Sequence, residues 1–278
     1  MRAILRDLTH QKQLGQDGYI RIPGFLSSEE LHNLQDAFKR YDPGISSRYY
    51  STIDSFDPAY KRHVNEAIRM ASSRSVRLIF QDYRPLTGNF VIKRKGRKSK
   101  VHMHFDISCV DELEAESCVL WLPLSDVNKE NGVLQMLPGS HTFMNSVRGP
   151  GVRRYYESLY PEFEKNWMKP VPMLAGDGLI FLNRILHYSA PNTLSETRIG
   201  ARIDMVPSGQ AAIMYHWRKG MPEEIVAVYA IEDDFYEHFR KEQDPVGAAF
   251  LEYQRNGFEP WNTPKILEFL RSRKLNPA

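Results

Sequence analysis

Two histidines and one aspartate in this chain have the types and spacing of an iron site. His104 and Asp106 form an H-x-D pair, and His187 follows much later. Two imidazoles and one carboxylate can hold one face of a ferrous ion and leave the opposite face open, which is the ligand set of non-haem iron oxygenases. Arg198 supplies a cationic anchor for a carboxylate-bearing cosubstrate. This combination predicts oxygenase chemistry at a mononuclear iron(II) ion.

The H-x-D spacing suits a β-strand, because alternate residues of a strand point to the same face. His104 and Asp106 are therefore expected to point into a barrel, while Phe105 points outward. His187 lies near the end of a different apolar strand, which a closed sheet can bring alongside. Arg198 opens a third strand with strict alternation. One face of that strand is predicted to carry Arg198, Gly200, Arg202 and Asp204, and the other Ile199, Ala201, Ile203 and Met205.

Each of these signals is weak alone and stronger in combination. A chain with nine histidines contains an H-x-D by chance fairly often, and a histidine at a strand end is commonly a hydrogen-bonded core residue. His102 competes with His104, but the pair His102/His104 lacks a suitably placed carboxylate. His141, in a Pro-Gly-Ser-His turn, is expected to serve structure. The order of H-x-D, Asn-Gly turn, Pro-Gly-Ser-His, Gly-Asp-Gly, strand-end histidine and arginine favours the metal.

Composition excludes several other classes of protein. Apolar residues make up 42% and charged residues 26%, which is globular, and a net charge of +3 argues for neither nucleic acid nor a membrane surface as partner. No apolar run approaches the ~20 residues of a membrane helix, and the N-terminus lacks the apolar run of a signal peptide. Cys109 and Cys118 are too few for a disulfide framework and are expected to be reduced. These features predict a cytoplasmic protein.

Periodicity indicates short strands between helical segments. Helices are predicted over 27–41, with a Ser27/Glu30 capping box, and from Asp57-Pro58 onward. Short apolar runs separated by turns are typical of a jelly roll. The predicted strands are Val76–Phe80, Asn89–Ile92, Cys118–Leu124, Val133–Leu137, Leu179–Tyr188 and Arg198–Val206. Three helices are predicted after Pro207, namely Asp233–Lys241, Val246–Arg255 and Thr263–Lys274.

The layout that these elements predict is one domain over 1–278, mainly β with flanking helices. It divides into a helical part (about 1–75), a jelly-roll core (about 76–206) and a helical extension (about 207–278). An insertion at about 141–170, with Arg148, Arg153 and Arg154, suits a lid or a substrate-selecting loop. The basic run 93–100 is open to two interpretations, a solvated loop or an attractor of anionic substrate, and the first is slightly favoured.

The chain also resembles the phytanoyl-CoA dioxygenase family of iron(II)/2-oxoglutarate oxygenases. The resemblance rests on VHMHFD (101–106), LWLPLSDVNKENGVLQMLPGSHTF (120–143), GDGLIFLNRILHYSAPNTLSETR (176–198) and DGYIRIPGFLSSEEL (17–31). It implies a double-stranded β-helix whose iron is held by His104, Asp106 and His187.

The resemblance further implies residues for the cosubstrate. Arg198 is expected to bind the distal carboxylate of 2-oxoglutarate bidentately. Ser189 and Lys93 are further candidates for the same carboxylate, and Trp121 for a wall of the site. Arg202, on the face of Arg198, is the alternative anchor if the register differs.

The expected reaction is hydroxylation of an unactivated C–H bond in a small polar or anionic metabolite, with oxygen as cosubstrate. Asp106 argues against halogenation, because related halogenases carry a small residue there. Desaturation, cyclisation and epimerisation share the same oxidising chemistry and stay open. So do two rival classes: a cupin-type metalloenzyme that works without 2-oxoglutarate and does not need Arg198, and a non-catalytic binding module on a decayed barrel.

Overall fold

The computed structural model describes residues 3–240 and 243–275. Its α-helices are α1 (Leu8–Asp17), α2 (Ser28–Arg40), α3 (Pro58–Ile79), α4 (Tyr160–Asn166), α5 (Phe235–His238) and α6 (Thr263–Leu275). Its strands are β1 (Tyr19–Ile22), β2 (Tyr49–Ser51), β3 (Tyr83–Lys93), β4 (Val101–His104), β5 (Cys118–Pro123), β6 (Leu134–Met136), β7 (Lys169–Pro170), β8 (Gly178–Leu182), β9 (His187–Ser189), β10 (Arg198–Pro207), β11 (Ala212–His216), β12 (Ile225–Ile231) and β13 (Ala249–Arg255).

Two antiparallel sheets form the barrel. The larger has the order β1-β8-β5-β10-β3-β2, and the smaller has the order β4-β9-β6-β7. Val119 and Phe181 of the large sheet pack against Leu134 and Met136 of the small one, so these inner faces enclose the interior. The outer face of the large sheet is covered by α2 and α3. This two-sheet arrangement agrees with the predicted jelly roll.

Strand β10 is the central strand of the large sheet, paired with β3 along its whole length and with β5 over its middle part. The predicted alternation is confirmed. Ala201, Ile203 and Met205 lie in the core under the helices, while Arg202 and Asp204 form polar contacts on the opposite face. A strand paired on both sides is a rigid support for the side chains that it points inward.

The predicted division at residue 75 implied a purely helical N-terminal region. The structure shows that this region also contains two strands. Strands β1 and β2 form the two edges of the large sheet, and α3 crosses the predicted boundary. The segment Val76–Phe80, predicted as a strand, is the last turn of α3 and its cap. Short apolar runs do not distinguish a buried helix from a strand, and here the helix that starts at Asp57-Pro58 continues to Ile79.

The segment Leu179–Tyr188, predicted as one strand, is two strands in different sheets. Strand β8 ends at Leu182 in the large sheet, and β9 begins at His187 in the small sheet. A backbone hydrogen bond from Ile185 N to Leu182 O closes the turn between them. The chain therefore crosses from one sheet to the other just before His187.

The predicted helical extension after Pro207 is mainly wrong. Strands β11, β12 and β13 form a third antiparallel sheet there, and β13 replaces the predicted helix Val246–Arg255. Cross-strand packing of Phe250 on Tyr229, with ring centroids 5.7 Å apart, stabilises that strand. Of the predicted helix Asp233–Lys241, only the segment Phe235–His238 is helical, as α5, and Lys241 lies outside the described residues. The predicted helix Thr263–Lys274 is confirmed as α6.

The parts of the 141–170 insertion around Phe143 and Phe163 pack outside the barrel. Phe143 and Phe163 pack with Ile266 and Leu270 of α6 against residues such as Met103, on the outer face of the small sheet. The side chains of His104 and His187 lie on the inner face of that sheet. The role of the insertion as a lid stays a prediction. Among the described residues, no helix has the length and apolar character required to cross a bilayer.

Helices α2 and α3 are joined by one buried carboxylate. The capping box of Ser27 and Glu30 is confirmed. Glu30 also accepts hydrogen bonds from Ser75 N at 2.9 Å and from Ser75 Oγ at 2.6 Å. One side chain therefore caps α2 and fixes it to α3.

We expect Glu30→Ala to lower the free energy of unfolding by about 3 kcal/mol, because it leaves buried donors of Ser27 and Ser75 unpaired. The exposed neighbour Glu29 is the matched control, and Glu29→Ala should change stability by at most about 0.5 kcal/mol. Urea unfolding followed by circular dichroism measures both values. Equal effects of the two substitutions would contradict the role assigned to Glu30.

Candidate metal centre

Pairing between β4 and β9 brings the two histidines together. In the antiparallel register His104 lies directly opposite His187, and their ring centroids are 4.3 Å apart. Asp106 lies just beyond the end of β4, where its backbone N–H donates to Asn183 O at 2.9 Å. One ligand atom from each of these three side chains lies within 4.8 Å of the others. The structure thus brings together the three predicted ligands.

A backbone carbonyl two residues earlier in the chain orients each imidazole. His104 Nδ1 lies 2.7 Å from His102 O, and His187 Nδ1 lies 3.1 Å from Ile185 O. A carbonyl accepts, so each Nδ1 carries the proton and each Nε2 offers its lone pair. The two Nε2 atoms lie 3.5 Å and 3.8 Å from oxygens of Asp106. This is the orientation that hydrogen-bonded metal ligands have.

Burial and neighbouring charges fix the protonation of two ligands. Burial, and then the proximity of His104, lowers the pKa of His187 to about 4, so this imidazole is neutral at neutral pH. Burial alone would raise the pKa of the Asp106 carboxyl. Arg202 and the two imidazoles outweigh burial and hold that pKa well below its ordinary range. The centre therefore offers a carboxylate and a neutral imidazole, as a divalent cation requires.

Asp106 Oδ2 is buried and accepts no hydrogen bond from the described residues. A buried acceptor without a partner is rare in a native structure and suggests an ion that is not part of the chain. The nitrogen and oxygen donors present fit iron(II). The side chain of His104 is 34% exposed, whereas those of Asp106 and His187 are 7% exposed, so the cluster is accessible from one side.

The competing histidines lie outside this cluster. His102 is exposed, and its backbone carbonyl contacts the ring of His104. His141 is buried with Nε2 at 3.1 Å from Gly15 O, which agrees with the predicted structural role. Among the described residues, His104, Asp106 and His187 are the only three His, Cys, Asp or Glu side chains that lie close enough together to hold a metal ion.

Two cations are buried next to the cluster. Lys93 on β3 and Arg198 on β10 are opposite each other in the sheet register and are 0% and 2% exposed. Lys93 Nζ donates to Ser189 Oγ and to Ala190 O, both at 2.5 Å. Ser189 follows His187 on β9, so this cation pair adjoins the metal ligands. The structure therefore brings three predicted cosubstrate residues together.

No carboxylate of the described residues pairs with Lys93 or Arg198. Burial, and then Arg198, lowers the pKa of Lys93 to about 6, and burial lowers the pKa of Arg198 to about 10. Arg198 donates from Nη1 to Gly132 O, and its Nε has no hydrogen-bond partner in the part of the chain that the structure describes. The Lys93 amine is therefore largely uncharged at neutral pH while no anion lies beside it. A buried guanidinium next to a buried amine forms a site for an anion, whose charge favours the protonated amine.

The turn Asn131-Gly132 shapes this cation pocket. Gly132 has a φ of +86°, and a Cβ there would lie 2.4 Å from Ala190 O and 2.9 Å from Lys93 Cδ. Only glycine fits, because both the backbone conformation and the space exclude a side chain. The turn predicted from Asn-Gly is therefore also a wall of the site.

Trp121 covers the cation pocket from β5. Its ring lies 5.1 Å from the guanidinium carbon of Arg198, which is a cation–π contact. The indole also lies over Gly200, where a Cβ would be 2.4 Å from Trp121 Cζ2. The predicted position of Trp121 as a wall agrees with this geometry.

Two arginines have other partners than the sequence predicted. Arg202, the alternative cosubstrate anchor, donates instead to Asp106 Oδ1 at 3.1 Å and to Asp204 Oδ1 at 2.7 Å. Arg148, predicted to grip substrate, is buried, pairs with Glu112 and donates from Nε to Asp106 O at 2.7 Å. Both contact Asp106, because segments that are far apart in the sequence meet at this point of the fold.

Tyr49 is a site residue that sequence reasoning missed. Burial raises the pKa of its phenol, and the charges of Arg202, Arg198 and Asp106 are near enough to act on it. It lies on β2, an edge strand of only three residues, whose flanks carry no clear alternation. The strand pairing of Tyr49 with Lys93 was the missing information.

The basic run at 93–100 joins β3 to β4. Lys95, Arg97 and Lys98 are exposed, and Lys100 pairs with Glu164 at 2.8 Å. Its first residue, Lys93, is the buried one. The run is therefore mainly a solvated connection, although it begins inside the site.

Comparison with known proteins places most of the chain in one family. The family described as Phytanoyl-CoA dioxygenase (PhyH) matches residues 14–200. Phytanoyl-CoA dioxygenase 1 of Oryza sativa subsp. japonica is 23% identical over 192 residues, which cover 66% of this chain and 58% of that protein. The Phytanoyl-CoA dioxygenase domain-containing protein 1 homolog of Dictyostelium discoideum is 24% identical over 45% of this chain and 47% of its own length. The chain thus spans about half the length of these curated relatives.

Solved structures share the fold at low sequence identity. The α-ketoglutarate-dependent carbocyclase SnoK from nogalamycin biosynthesis has a TM-score of 0.55 at 19% identity, over 75% of this chain and 86% of that one. EctD from S. alaskensis, with 2-oxoglutarate and 5-hydroxyectoine, has a TM-score of 0.54 at 16% identity, over 78% and 82%. HygX from Streptomyces hygroscopicus, with nickel and 2-oxoglutarate bound, has a TM-score of 0.52 at 17% identity, over 73% and 88%.

We expect Gly200→Ala to displace the indole of Trp121, because the added Cβ has no room. The free energy of unfolding should fall by about 1–3 kcal/mol, and tryptophan fluorescence should shift. The matched control is Gly15→Ala in α1, where a Cβ meets nothing within 4 Å, and which should stabilise by about 0.5–1 kcal/mol. A Gly200→Ala protein with unchanged stability and fluorescence would contradict this packing.

Proposed function

This chain belongs to the phytanoyl-CoA dioxygenase family, and we propose that it is a non-haem iron(II), 2-oxoglutarate-dependent oxygenase that hydroxylates a small polar metabolite. The observation that carries the proposal is one juxtaposition. A His-Asp-His cluster adjoins the buried side chains of Lys93 and Arg198. Within the described part of the chain, Asp106 Oδ2 accepts no hydrogen bond and no carboxylate pairs with either basic side chain. The cluster offers a site for a divalent cation, and the cation pair offers a site for an anion.

In this proposal His104, Asp106 and His187 hold iron(II). Arg198 and Lys93 bind the distal carboxylate of 2-oxoglutarate, with Ser189 as a further hydrogen-bonding partner. Arginine suits this task because its planar fork matches a carboxylate. Iron(II), 2-oxoglutarate and oxygen together supply an oxidant strong enough to attack an unactivated C–H bond.

The chain's own residues orient the reactants and exclude water. Backbone carbonyls engage Nδ1 of both imidazoles, so that Nε2 of each would be available to bind the ion. Trp121 and Phe181 form an apolar wall on the β5–β8 side, and the ring of Phe181 lies 4.8 Å from that of His187. A dry wall strengthens the electrostatic interactions at the site.

The opposite wall supports a polar substrate. Tyr49 and Ser51 on β2 and Asn89 on β3 face the interior, where Asn89 Nδ2 donates to Ser51 Oγ at 2.7 Å. These hydroxyl and amide groups make the wall polar, which favours a substrate that can form hydrogen bonds over an acyl chain. The small-molecule complexes of HygX and EctD on the same fold agree with this class of partner.

Two alternatives differ in how well the site supports them. The first alternative, a cupin-type metalloenzyme that works without 2-oxoglutarate, does not explain why Lys93 and Arg198 are buried together. Other outcomes of the same oxidative chemistry have support, because the neighbour SnoK is a carbocyclase. The choice between hydroxylation and ring closure depends on the substrate that lies over the ion.

The proposal predicts succinate release that depends on iron(II), 2-oxoglutarate and the three ligands. A screen of metabolite pools with the purified protein should identify mixtures that stimulate succinate formation. His104→Ala and His187→Ala should reduce that rate to background, because two ligands do not hold the ion. His102→Ala, which removes an exposed neighbour, should keep the rate. Wild-type rates in either ligand variant would overturn the metal assignment.

A further inference from the structure

Arg202 links the carboxylate of Asp106 to a second buried carboxylate. Its Nη1 donates to Asp106 Oδ1 at 3.1 Å. Its Nη2 and Nε donate to the two oxygens of Asp204, at 2.7 Å and 3.3 Å. The side chain of Asp204 is 10% exposed and that of Arg202 is 24% exposed. The guanidinium is therefore held as a fork on Asp204 and extends one amino group to Asp106.

The rest of Asp106 is also anchored. Its N–H donates to Asn183 O at 2.9 Å, and its carbonyl oxygen accepts from Arg148 Nε at 2.7 Å. Oδ2 alone among its polar atoms has no hydrogen bond from the described residues. Oδ2 lies 3.8 Å from His187 Nε2, and Oδ1 lies 3.5 Å from His104 Nε2, so both oxygens border the cluster. Of the two, Oδ1 is the oxygen that Arg202 contacts.

We infer that Arg202 and Asp204 are positioning residues for Asp106, and that Arg202 occupies Oδ1 so that Oδ2 is presented as the single ligand oxygen. The inference rests on the proposed function. A carboxylate with both oxygens free can chelate an ion and take up an additional coordination position. With Oδ1 held by Arg202, the carboxylate binds through one oxygen and the remaining positions stay open for cosubstrate and oxygen.

Strand geometry explains why this pair suits the task. Asp106 follows the end of β4 and lies outside any strand, so the sheet does not fix its side chain. Arg202 and Asp204 are alternate residues of β10, which is paired with β3 and β5 at this point. A rigid central strand therefore supplies the orientation that the loop lacks.

Asp204 has a second task, which is electrostatic. A guanidinium beside a divalent cation repels it, and repulsion of this kind is strong in a buried site. The carboxylate of Asp204 neutralises that charge and, through its two hydrogen bonds, fixes the orientation of the guanidinium. Arg202 can therefore orient Asp106 without placing a net positive charge next to the ion.

The test is a titration of the purified full chain with Co(II), read by its visible absorption, which reports both affinity and coordination. In the double variant Arg202→Gln/Asp204→Asn the net charge is preserved and the bridge is lost. We expect its dissociation constant for Co(II) to rise about 10–100-fold, with an altered spectrum. Arg202→Lys keeps the charge but not the fork, and should not restore the wild-type spectrum. Asp204→Asn alone should also weaken Co(II) binding, because the charge of Arg202 is then uncompensated.

The control is Arg84→Gln/Asp233→Asn, which removes an ion pair of the same kind at the surface and should leave Co(II) binding unchanged. A wild-type spectrum and dissociation constant in the double variant would overturn the inference. If the double variant does not fold, the test rests on Asp204→Asn. A wild-type dissociation constant for Co(II) in that variant would also overturn the inference. Failure of the wild-type chain to bind Co(II) at all would instead overturn the proposed function, so the two failures are distinguishable.

Discussion

The interior of this barrel contains ionisable groups whose binding capacity the described chain does not satisfy. Lys93 and Arg198 are both buried without an acidic partner among the described residues, and Oδ2 of Asp106 accepts no hydrogen bond from them. Unpaired charges in a protein interior are strongly unfavourable. These groups are explained if a divalent cation binds the Asp106 carboxylate and a dicarboxylate binds Lys93 and Arg198. The rigid pairing of β10 with β3 and β5 holds the charged side chains in place.

Much of the fold and site follows from local patterns. Alternation along Arg198–Val206 separates the core face of β10 from its polar face, and this separation is correct because the strand is central and both faces are buried. The H-x-D spacing correctly brings His104 and Asp106 together, but the predicted strand position holds only for His104. Asp106 follows the end of β4, and a backbone hydrogen bond from its N–H to Asn183 O holds the chain there. Family resemblance adds Lys93, Ser189 and Trp121, and the structure brings all three beside Arg198.

The remaining features depend on contacts between distant segments. Arg148 and Arg202 meet Asp106 from separate parts of the chain, and no local pattern indicates either contact. The segment Ala249–Arg255 has a composition that suits a helix or a strand, and its pairing with β12 decides the outcome. Arg202, Asp204 and the third sheet all lie after residue 200, where the family match ends. They are therefore the features for which family resemblance gives the least guidance.

The central claim is that the buried cation pair binds the distal carboxylate of 2-oxoglutarate beside the proposed iron ligands. Anaerobic titration of the iron(II)-loaded protein with 2-oxoglutarate, followed by the visible charge-transfer band of the chelate, tests it most directly. We predict a saturable band in the wild-type chain and an affinity about 10–100-fold lower in Lys93→Met and Arg198→Met, since a charged hydrogen bond contributes about 1.5–3 kcal/mol. Lys95→Gln, which removes an exposed neighbour, should bind normally. Absence of the band in the wild-type chain, or unchanged affinity in both cation variants, would contradict the account.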